Sequence, residues 1–334
     1  MFKGKVVVVG ATGNVGRNVV EMLLNSKIFN PEGIRLTGSE RSAGSVMTVN
    51  GLDFIIQNTA DIAFEKNELC IFNTEADVSS HYIPIALAAE AYVVDSSSHY
   101  RMDRDVPLIV PPVNISEIDI LKHKLFSHSN CIVSPIATAI APLHKKFHLE
   151  RVIASAYQST SGAGKKAMDE CFRATKEFCE KKTVKASESF PRPIPFNIIP
   201  QIGSFDGEGF ASEETKIANE LRKVISKEIF VSATCVRVPV LIGHSTSLSL
   251  RFKDDCKLMD VVDVLDGSAS IILDKDSYKT PIEIVGQDKV FISRIRSDEC
   301  NGERWFHMWV CSDNLRVGAA TDSFEIAKAI ANYL

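Results

Sequence analysis

A chain of 334 residues is too long for one small core and predicts two domains. Apolar residues make up 45% and charged residues 24%, the balance of a globular protein rather than a disordered or fibrous one. A net charge of −4 and a pI near 6.1 supply no basic field for nucleic acid or an anionic membrane, and no apolar run reaches membrane-spanning length. The first strand signal begins almost at the N-terminus, leaving no room for a leader peptide, so a cytoplasmic location is expected. In that reducing compartment the eight cysteines should be thiols; they form no CxxC pair and no Cys/His ligand pattern, and no metal is expected.

Four valines at 6–9 read as a buried parallel strand, and they run straight into Gly10-Ala-Thr-Gly-Asn-Val-Gly16 and a helical pattern over residues 14–25. Gly10 permits a tight turn, Gly13 lets the backbone approach a pyrophosphate, and Gly16 lets the helix pack on the strand. The N–H groups at the helix start, with Thr12, Asn14 and Val15 in the same loop, would face the phosphates. At the first strand-to-helix junction of a βαβ unit this spacing predicts a dinucleotide site. A second strand at 34–38 should end near the cofactor's ribose. Ser39, Arg41 and Ser42 there suit a 2′-phosphate through charge-assisted hydrogen bonds, against the one dissenting carboxylate of Glu40. The expected cofactor is NADP(H) over NAD(H).

A strand at 69–73, a helix at 78–91 and a strand at 92–95 continue the alternation of a doubly wound sheet. Residues 96–101 follow at the carboxyl edge, where ligands bind in such folds. Residues 108–114 read as extended, the prolines excluding helix. Residues 126–131 lead into a helix over 136–147, with Pro135 near its first turn. From Arg151 the texture changes: residues 152–157, 229–239, 245–252 and 304–311 are strand-like, and residues 189–196 form a proline-rich extended loop. The second domain is therefore expected to be α+β, a mostly antiparallel sheet with helices on one face. An amphipathic stretch at 322–334 should return to the first domain. The expected division is 1–130 with 314–334, against 131–313.

Cys131 stands apart from the other cysteines because it precedes a helix N-terminus, where the dipole and unpaired N–H groups favour a thiolate. Cys70 and Cys311 sit in strand patterns, Cys171 and Cys179 on a helix, and Cys235 and Cys256 have no activating polar neighbours in sequence. By position alone Cys131 reads equally as a nucleophile or a small buried apolar residue. His244 favours the nucleophile: Gly243 lets the chain turn so that the imidazole can project into a cleft, and a cysteine with a histidine on a separate element fits the nucleophile–base pattern.

The chain resembles aspartate-semialdehyde dehydrogenase in its bacterial form, through the glycine loop, Ser97-Ser-His-Tyr-Arg-Met-Asp103, Ser129-Asn-Cys131 and Tyr157-Gln-Ser-Thr-Ser-Gly-Ala-Gly164. The likeness continues in Pro195-Phe-Asn-Ile-Ile-Pro200, Glu213-Glu-Thr-Lys216 and Arg237-Val-Pro-Val-Leu-Ile-Gly-His-Ser245. The resemblance implies a Rossmann-type NADP-binding domain, a catalytic and dimerisation domain, and a homodimer, with a tetramer as the alternative. It implies reduction of L-aspartyl 4-phosphate to L-aspartate 4-semialdehyde in lysine, threonine and methionine synthesis.

Residue by residue, Cys131 would attack the carbonyl, His244 would act as acid/base on its oxygen, and Gln158 would orient the substrate. Arg237 would pair with the α-carboxylate and Glu213 with the α-ammonium, Glu220 being a competitor. Arg101, Asn130 and Lys216 would hold phosphate. Asn314, in Ser312-Asp-Asn-Leu-Arg316, would meet the nicotinamide amide, beside Ser161 and Gly162. One departure stands out: Thr74-Glu-Ala-Asp77 replaces a small-residue, glycine-containing turn near the cofactor. Two readings of different class stay open, an N-acetyl-γ-glutamyl-phosphate reductase and a non-catalytic NADP-binding sensor.

Overall fold

The computed structural model describes Phe2, residues 4–181 and residues 186–334. It divides into two compact units, one of residues 1–130 with 318–334 and one of residues 131–317. In the first lie β1 (Val6–Val9), α1 (Asn14–Asn25), β2 (Ile34–Gly38), β3 (Val46–Val49), β4 (Leu52–Asn58), β5 (Leu69–Phe72), α2 (Ala76–Ala88), β6 (Tyr92–Asp95), β7 (Leu108–Ile109), α3 (Pro111–Asn114) and β8 (Leu125–His128). The second holds α4 (Val133–Phe147), β9 (Leu149–Gln158), α5 (Gly164–Cys179), α6 (Ser212–Val224), β10 (Phe230–Arg237), β11 (His244–Phe252), α7 (Leu258–Asp266), β12 (Ile271–Asp274), β13 (Val290–Cys300) and β14 (Glu303–Ser312). The chain ends with α8 (Thr321–Ala331), back in the first unit.

Both expected sheets are present. The first has the order β3-β4-β2-β1-β5-β6-β8-β7 and is parallel except for the β3–β4 hairpin. The valines of β1 are buried on both faces, which is why the strand reads as a continuous apolar run rather than an alternation. Val6 and Val8 join a core with Val19 and Leu23 of α1 and Ile326 and Ile330 of α8. Val7 and Val9 join a second core with Ile83 and Ala86 of α2 and Phe72 of β5. β1 lies between β2 and β5, so chain direction across the sheet reverses there and a crevice opens at the strands' carboxyl ends.

The second sheet runs β10-β9-β11-β14-β13-β12. Its three central pairings are antiparallel, and the two outer ones, β10–β9 and β12–β13, are parallel. Helices α4, α6 and α7 pack on one face. The other face carries Ile153, Tyr157, Ser247, Ser249, Trp305 and Trp309 at alternate positions, partly or largely exposed.

Three local expectations need correction. Residues 111–114 are helical, with prolines in the first turn; there the missing N–H costs nothing and the fixed φ suits the helix. α4 starts at Val133 rather than residue 136, so Pro135 sits inside its first turn and Cys131 is three residues nearer the helix than the apolar pattern suggested. His244 opens β11, pairing with Ser312, instead of lying in a turn. The β3–β4 hairpin was carried by Asn50-Gly51, whose φ values of 52° and 77° fit the positive-φ pair of a type I′ turn.

The loop glycines of the first unit are under different constraints. Gly10 has φ 79°, and a Cβ there would stand 2.4 Å from the Asn73 carbonyl oxygen. A Cβ on Gly16 would stand 2.3 Å from the Gly10 carbonyl oxygen and 2.8 Å from Ala11 Cα. On Gly13, at an ordinary φ of −73°, it would meet only Gly10 O at 3.4 Å. Gly16→Ala should therefore destabilise the protein by about 1–3 kcal/mol through forced backbone separation, whereas Gly13→Ala should cost less than about 1 kcal/mol. Urea unfolding of the two variants checks this, and equal losses would overturn it.

Candidate active site

The topology of the second unit gathers distant residues. β9 ends at Gln158 and β10, parallel to it, ends in register at Arg237. β11 runs the opposite way, so its first residue, His244, lies at the same edge, and β14 returns there to end at Ser312, just before Asn314. The loop after β9 is stitched to the one after β10 by Thr160 N–H to Val240 O at 2.8 Å and Ser161 N–H to Leu241 O at 3.0 Å.

Cys131 Sγ lies 3.4 Å from His244 Nε2. The imidazole is 1% exposed, and its Nδ1 accepts the Ser159 backbone N–H at 3.1 Å, with Ser159 Oγ also at 3.1 Å. Burial, then the Arg237 charge, pulls the His244 pKa down to about 3, so the ring is neutral at ordinary pH. Cys131 is half-buried before the first turn of α4. Burial pushes the thiols of Cys70, Cys171, Cys235, Cys256 and Cys311 up, the opposite of activation.

Arg237 is buried and donates from Nη1 to the Ser159 carbonyl at 2.6 Å. Burial lowers its pKa, opposed first by the charge of Glu213; a guanidinium nevertheless stays protonated in proteins. Glu213, in the first turn of α6, is buried and accepts from Gln158 Nε2 at 3.3 Å. Lys216 Nζ lies 3.6 Å from the Glu213 carboxylate, with its side chain 40% exposed. The pair thus joins a buried face to solvent rather than decorating an outer helix face. Glu220, the competitor for the ammonium, is also buried on α6, two turns further along.

Gly162 fits tightly here. A Cβ on it would come 2.9 Å from Arg237 Nη1 and 3.3 Å from His244 Cε1 and Nε2. Asn314 is buried, and its Oδ1 accepts from Ser159 Oγ, Ser161 Oγ and the Gly243 N–H at 2.8–3.0 Å. Its carbonyl oxygen is thus occupied within the unit, and Nδ2 is the end left for a ligand's carbonyl.

Sequence reasoning missed Ser159, whose N–H, C=O and hydroxyl bind His244, Arg237 and Asn314 in turn. Its signal was weak: it is one small polar residue after Gln158, and the residues that follow it, Thr160 to Gly164, are also small. Cys235 needs a correction, since Gln158, Glu213, Glu214 and Arg237 all act on it. Neighbours supplied by other elements, such as Glu213 and Glu214 of α6 and Gln158 of β9, are invisible in local sequence. They leave the thiol inert, because burial is the dominant effect.

In the first unit, no side chain caps α1, so its N-terminus is presented by Gly13 and the backbone alone. The bareness of Gly13 is not required by protein packing and fits close approach of a pyrophosphate. Thr12 is exposed, Asn14 and Val15 are half-buried. Ser39 and Arg41 are exposed at the end of β2, while Ser42 turns its hydroxyl back to the Ser39 carbonyl at 2.9 Å. Glu75 and Asp77 are exposed at the start of α2; Asp77 accepts from the Val78 N–H, so its charge is directed at its own helix terminus.

Arg101 is not a surface ion-pair residue: it is buried and donates to the Ser96 carbonyl at 2.6 Å. Asn130 is buried as well. His128, a residue sequence reasoning did not select, is buried with Nδ1 at 3.0 Å from the Ser129 carbonyl and Nε2 at 3.0 Å from Ser323 Oγ. Burial, reinforced by Arg101, takes its pKa down to about 3.

Comparison with known proteins agrees with this architecture. Residues 5–121 match the model of the semialdehyde dehydrogenase NAD binding domain, and residues 140–317 that of the semialdehyde dehydrogenase dimerisation domain. Aspartate-semialdehyde dehydrogenase of Rickettsia bellii is 39% identical over 98% of each chain, and that of Bacillus subtilis 36% identical over 97% of this chain and 96% of the relative. The crystal structure of aspartate semialdehyde dehydrogenase II from Vibrio cholerae superimposes with a TM-score of 0.93 at 32% identity, covering 98% of each chain. With both units matched and the likeness running end to end, the chain belongs to the aspartate-semialdehyde dehydrogenase family.

Proposed function

We propose that this chain catalyses the NADPH-dependent reduction of L-aspartyl 4-phosphate to L-aspartate 4-semialdehyde and phosphate, and the reverse phosphorylating oxidation. The observation that carries the reading is the Cys131–His244 contact beside the buried Arg237 and Glu213. The Vibrio cholerae relative was crystallised with ASA, in keeping with the same substrate class.

Cys131 attacks the acyl carbon as thiolate, the carbon–oxygen bond to phosphate breaks, and phosphate leaves with the electron pair. A thioester on Sγ remains. His244, acting as acid/base on the carbonyl oxygen, presents Nε2 to the charge that develops there. Arg237 matches the α-carboxylate as a two-donor fork, and Glu213 neutralises the α-ammonium while its bond from Gln158 sets that amide near the reacting carbon. Arg101, Asn130 and Lys216 are the residues assigned to phosphate. A carboxylate buried beside Arg237 also disfavours an N-acetylated substrate, which has no cation to offer it.

The glycine loop (Gly10, Thr12, Gly13, Asn14, Val15, Gly16), Ser39, Arg41, Ser42, Ser161, Gly162 and Asn314 are the residues proposed to hold NADP(H). When bound, that cofactor supplies the hydride that converts thioester to aldehyde. The half-exposed sheet face with Tyr157 and Trp309, whose rings lie 5.7 Å apart, is the surface we assign to pairing of two copies as a homodimer. The division into an NADP-binding domain of 1–130 with 314–334 and a catalytic domain of 131–313, the cytoplasmic location, and the supply of semialdehyde to lysine, threonine and methionine synthesis belong to the same reading.

NADP⁺ reduction with L-aspartate 4-semialdehyde should require phosphate, and N-acetylglutamate semialdehyde should give no turnover. Turnover of the acetylated substrate alone would move the chain to the other reductase class. Cys131→Ser should lower kcat by more than about 1,000-fold while NADPH affinity stays within about two-fold; retained turnover would remove Cys131 from the chemistry.

Arg237→Lys should raise the substrate KM by roughly 10–100-fold, because one ammonium cannot reproduce the fork. Gly162→Ala should shift KM in the same direction by displacing the guanidinium. An unchanged KM in both variants contradicts the substrate clamp. Arg41→Ala should weaken NADPH binding by about 10-fold and leave NADH binding unchanged. Equal losses for the two cofactors would place Arg41 away from a 2′-phosphate.

A further inference from the structure

In the first unit the side-chain amide of Asn73 has a buried end, Nδ2, with no hydrogen-bond partner among the described residues. Asn73 follows β5. Pairing of β5 with β1 sets it beside the Gly10 turn, where its carbonyl crowds Gly10 and its N–H donates to Val9 O at 2.9 Å. The other end of the amide, Oδ1, lies 3.3 Å from Ser323 Oγ of α8. Ser323 Oγ is also 3.0 Å from His128 Nε2, and His128 Nδ1 is 3.0 Å from the Ser129 carbonyl. All four residues belong to the same compact unit.

Proton count fixes the direction of these bonds. A carbonyl oxygen can only accept, so the single proton of a neutral His128 ring is on Nδ1. The ring is 1% exposed, and its two partners, a carbonyl and a hydroxyl, carry no negative charge to hold an imidazolium. Burial, then the Arg101 charge, takes its pKa down to about 3. Nε2 is therefore a lone pair, and it takes the one proton of the Ser323 hydroxyl. No proton is left for an Asn73 oxygen, whereas an NH₂ group in that place donates to the lone pairs of Ser323 Oγ. The two ends of an amide have nearly the same shape, so the hydrogen-bond network decides between them. The order that satisfies every group is Asn73 Nδ2–H to Ser323 Oγ, Ser323 O–H to His128 Nε2, and His128 Nδ1–H to Ser129 O. The end of Asn73 without a protein partner is then its carbonyl oxygen, an acceptor.

We propose that Asn73 binds the cofactor, presenting Oδ1 as an acceptor to a ribose hydroxyl of the nicotinamide half, and that Ser323 and His128 are positioning residues that turn the amide that way. The proposal rests on the NADP(H) reading given above. β2 and β5 flank β1 on opposite sides. With the pyrophosphate at the start of α1 and the adenosine ribose at the end of β2, the other half of the dinucleotide extends past the end of β5. Its ribose is the group next to the pyrophosphate, and hydroxyls are the donors that a sugar offers. An acceptor buried without a donor is costly in the free protein, and a ligand hydroxyl relieves that cost.

The test is binding, read by calorimetry on the full chain with two probes: NADPH, and adenosine 2′,5′-bisphosphate, which lacks the nicotinamide half. Asn73→Ala should weaken NADPH binding by roughly 3- to 10-fold and leave the adenosine probe bound as before. Ser323→Ala keeps Asn73 but removes its anchor, and should give the same selective loss in smaller measure. Equal losses for the two probes would mean that Asn73 only shapes the Gly10 turn, and no loss for either would remove it from the cofactor; each result overturns the proposal. If the unsubstituted protein binds neither probe, the dinucleotide reading itself fails and takes this proposal with it, a result distinct from the other two.

Long-range ¹H–¹⁵N correlation of the unsubstituted chain, labelled with ¹⁵N-histidine, checks the direction of the hydrogen bonds without any variant of Asn73. The His128 signals, identified as those lost in His128→Gln, should show a protonated Nδ1 and a bare Nε2 between about pH 5 and about pH 9. A proton on Nε2, alone or together with one on Nδ1, would release the Ser323 hydroxyl to Asn73 Oδ1. The unpartnered end would then be a donor, and the assignment of Asn73 as an acceptor would be overturned.

Discussion

The parallel pairing of β9 with β10, in register to its last residues, is the constraint on which the site depends. It sets Gln158 opposite Arg237 at one edge of the second sheet. Antiparallel pairing of β11 with β9 and of β14 with β11 brings His244 and the segment before Asn314 to that same edge. Backbone ladders thus position four side chains of the candidate site, and the stiffness of a six-stranded sheet is passed directly to them. A site built on loops alone would need each of these distances held by its own contacts.

At that edge the chain accepts a costly arrangement: a buried cation, a buried carboxylate and a neutral imidazole within one hydrogen-bonded cluster. Removing ions from water costs several kcal/mol each, and mutual attraction repays this only when the remaining donors and acceptors are matched. Here Arg237 is matched by the Ser159 carbonyl and Glu213 by the Gln158 amide. The first unit shows the same economy, with Asp95 buried against the Ser97 N–H and the hydroxyls of Ser97 and Ser79 at the end of β6.

The family relationship gives these two units their general meaning: an NAD(P)-binding Rossmann-type domain and a dimerisation domain of an oxidoreductase of amino-acid biosynthesis. Within that frame the chain has features of its own. Glu75 and Asp77 bring two carboxylates to the start of α2, and Thr74, just before them, lies against the Gly10 turn. The charge of Asp77 is directed at its own helix terminus, where the dipole stabilises it.

The sequence by itself determined what depends on local pattern. Four consecutive valines could only be a strand buried on both faces, the glycine spacing specified the turn that follows, and alternation in residues 245–252 specified a half-buried antiparallel strand. It also singled out Cys131, because a cysteine before a helix is a local feature. Only the tertiary structure decided the rest. The tolerance of Pro111 and Pro112 for a helical turn depends on their falling at its start, which an isolated proline signal does not reveal. Ser159 became the centre of the cluster, and Cys235 acquired polar neighbours, through hydrogen bonds to residues as many as 155 positions away.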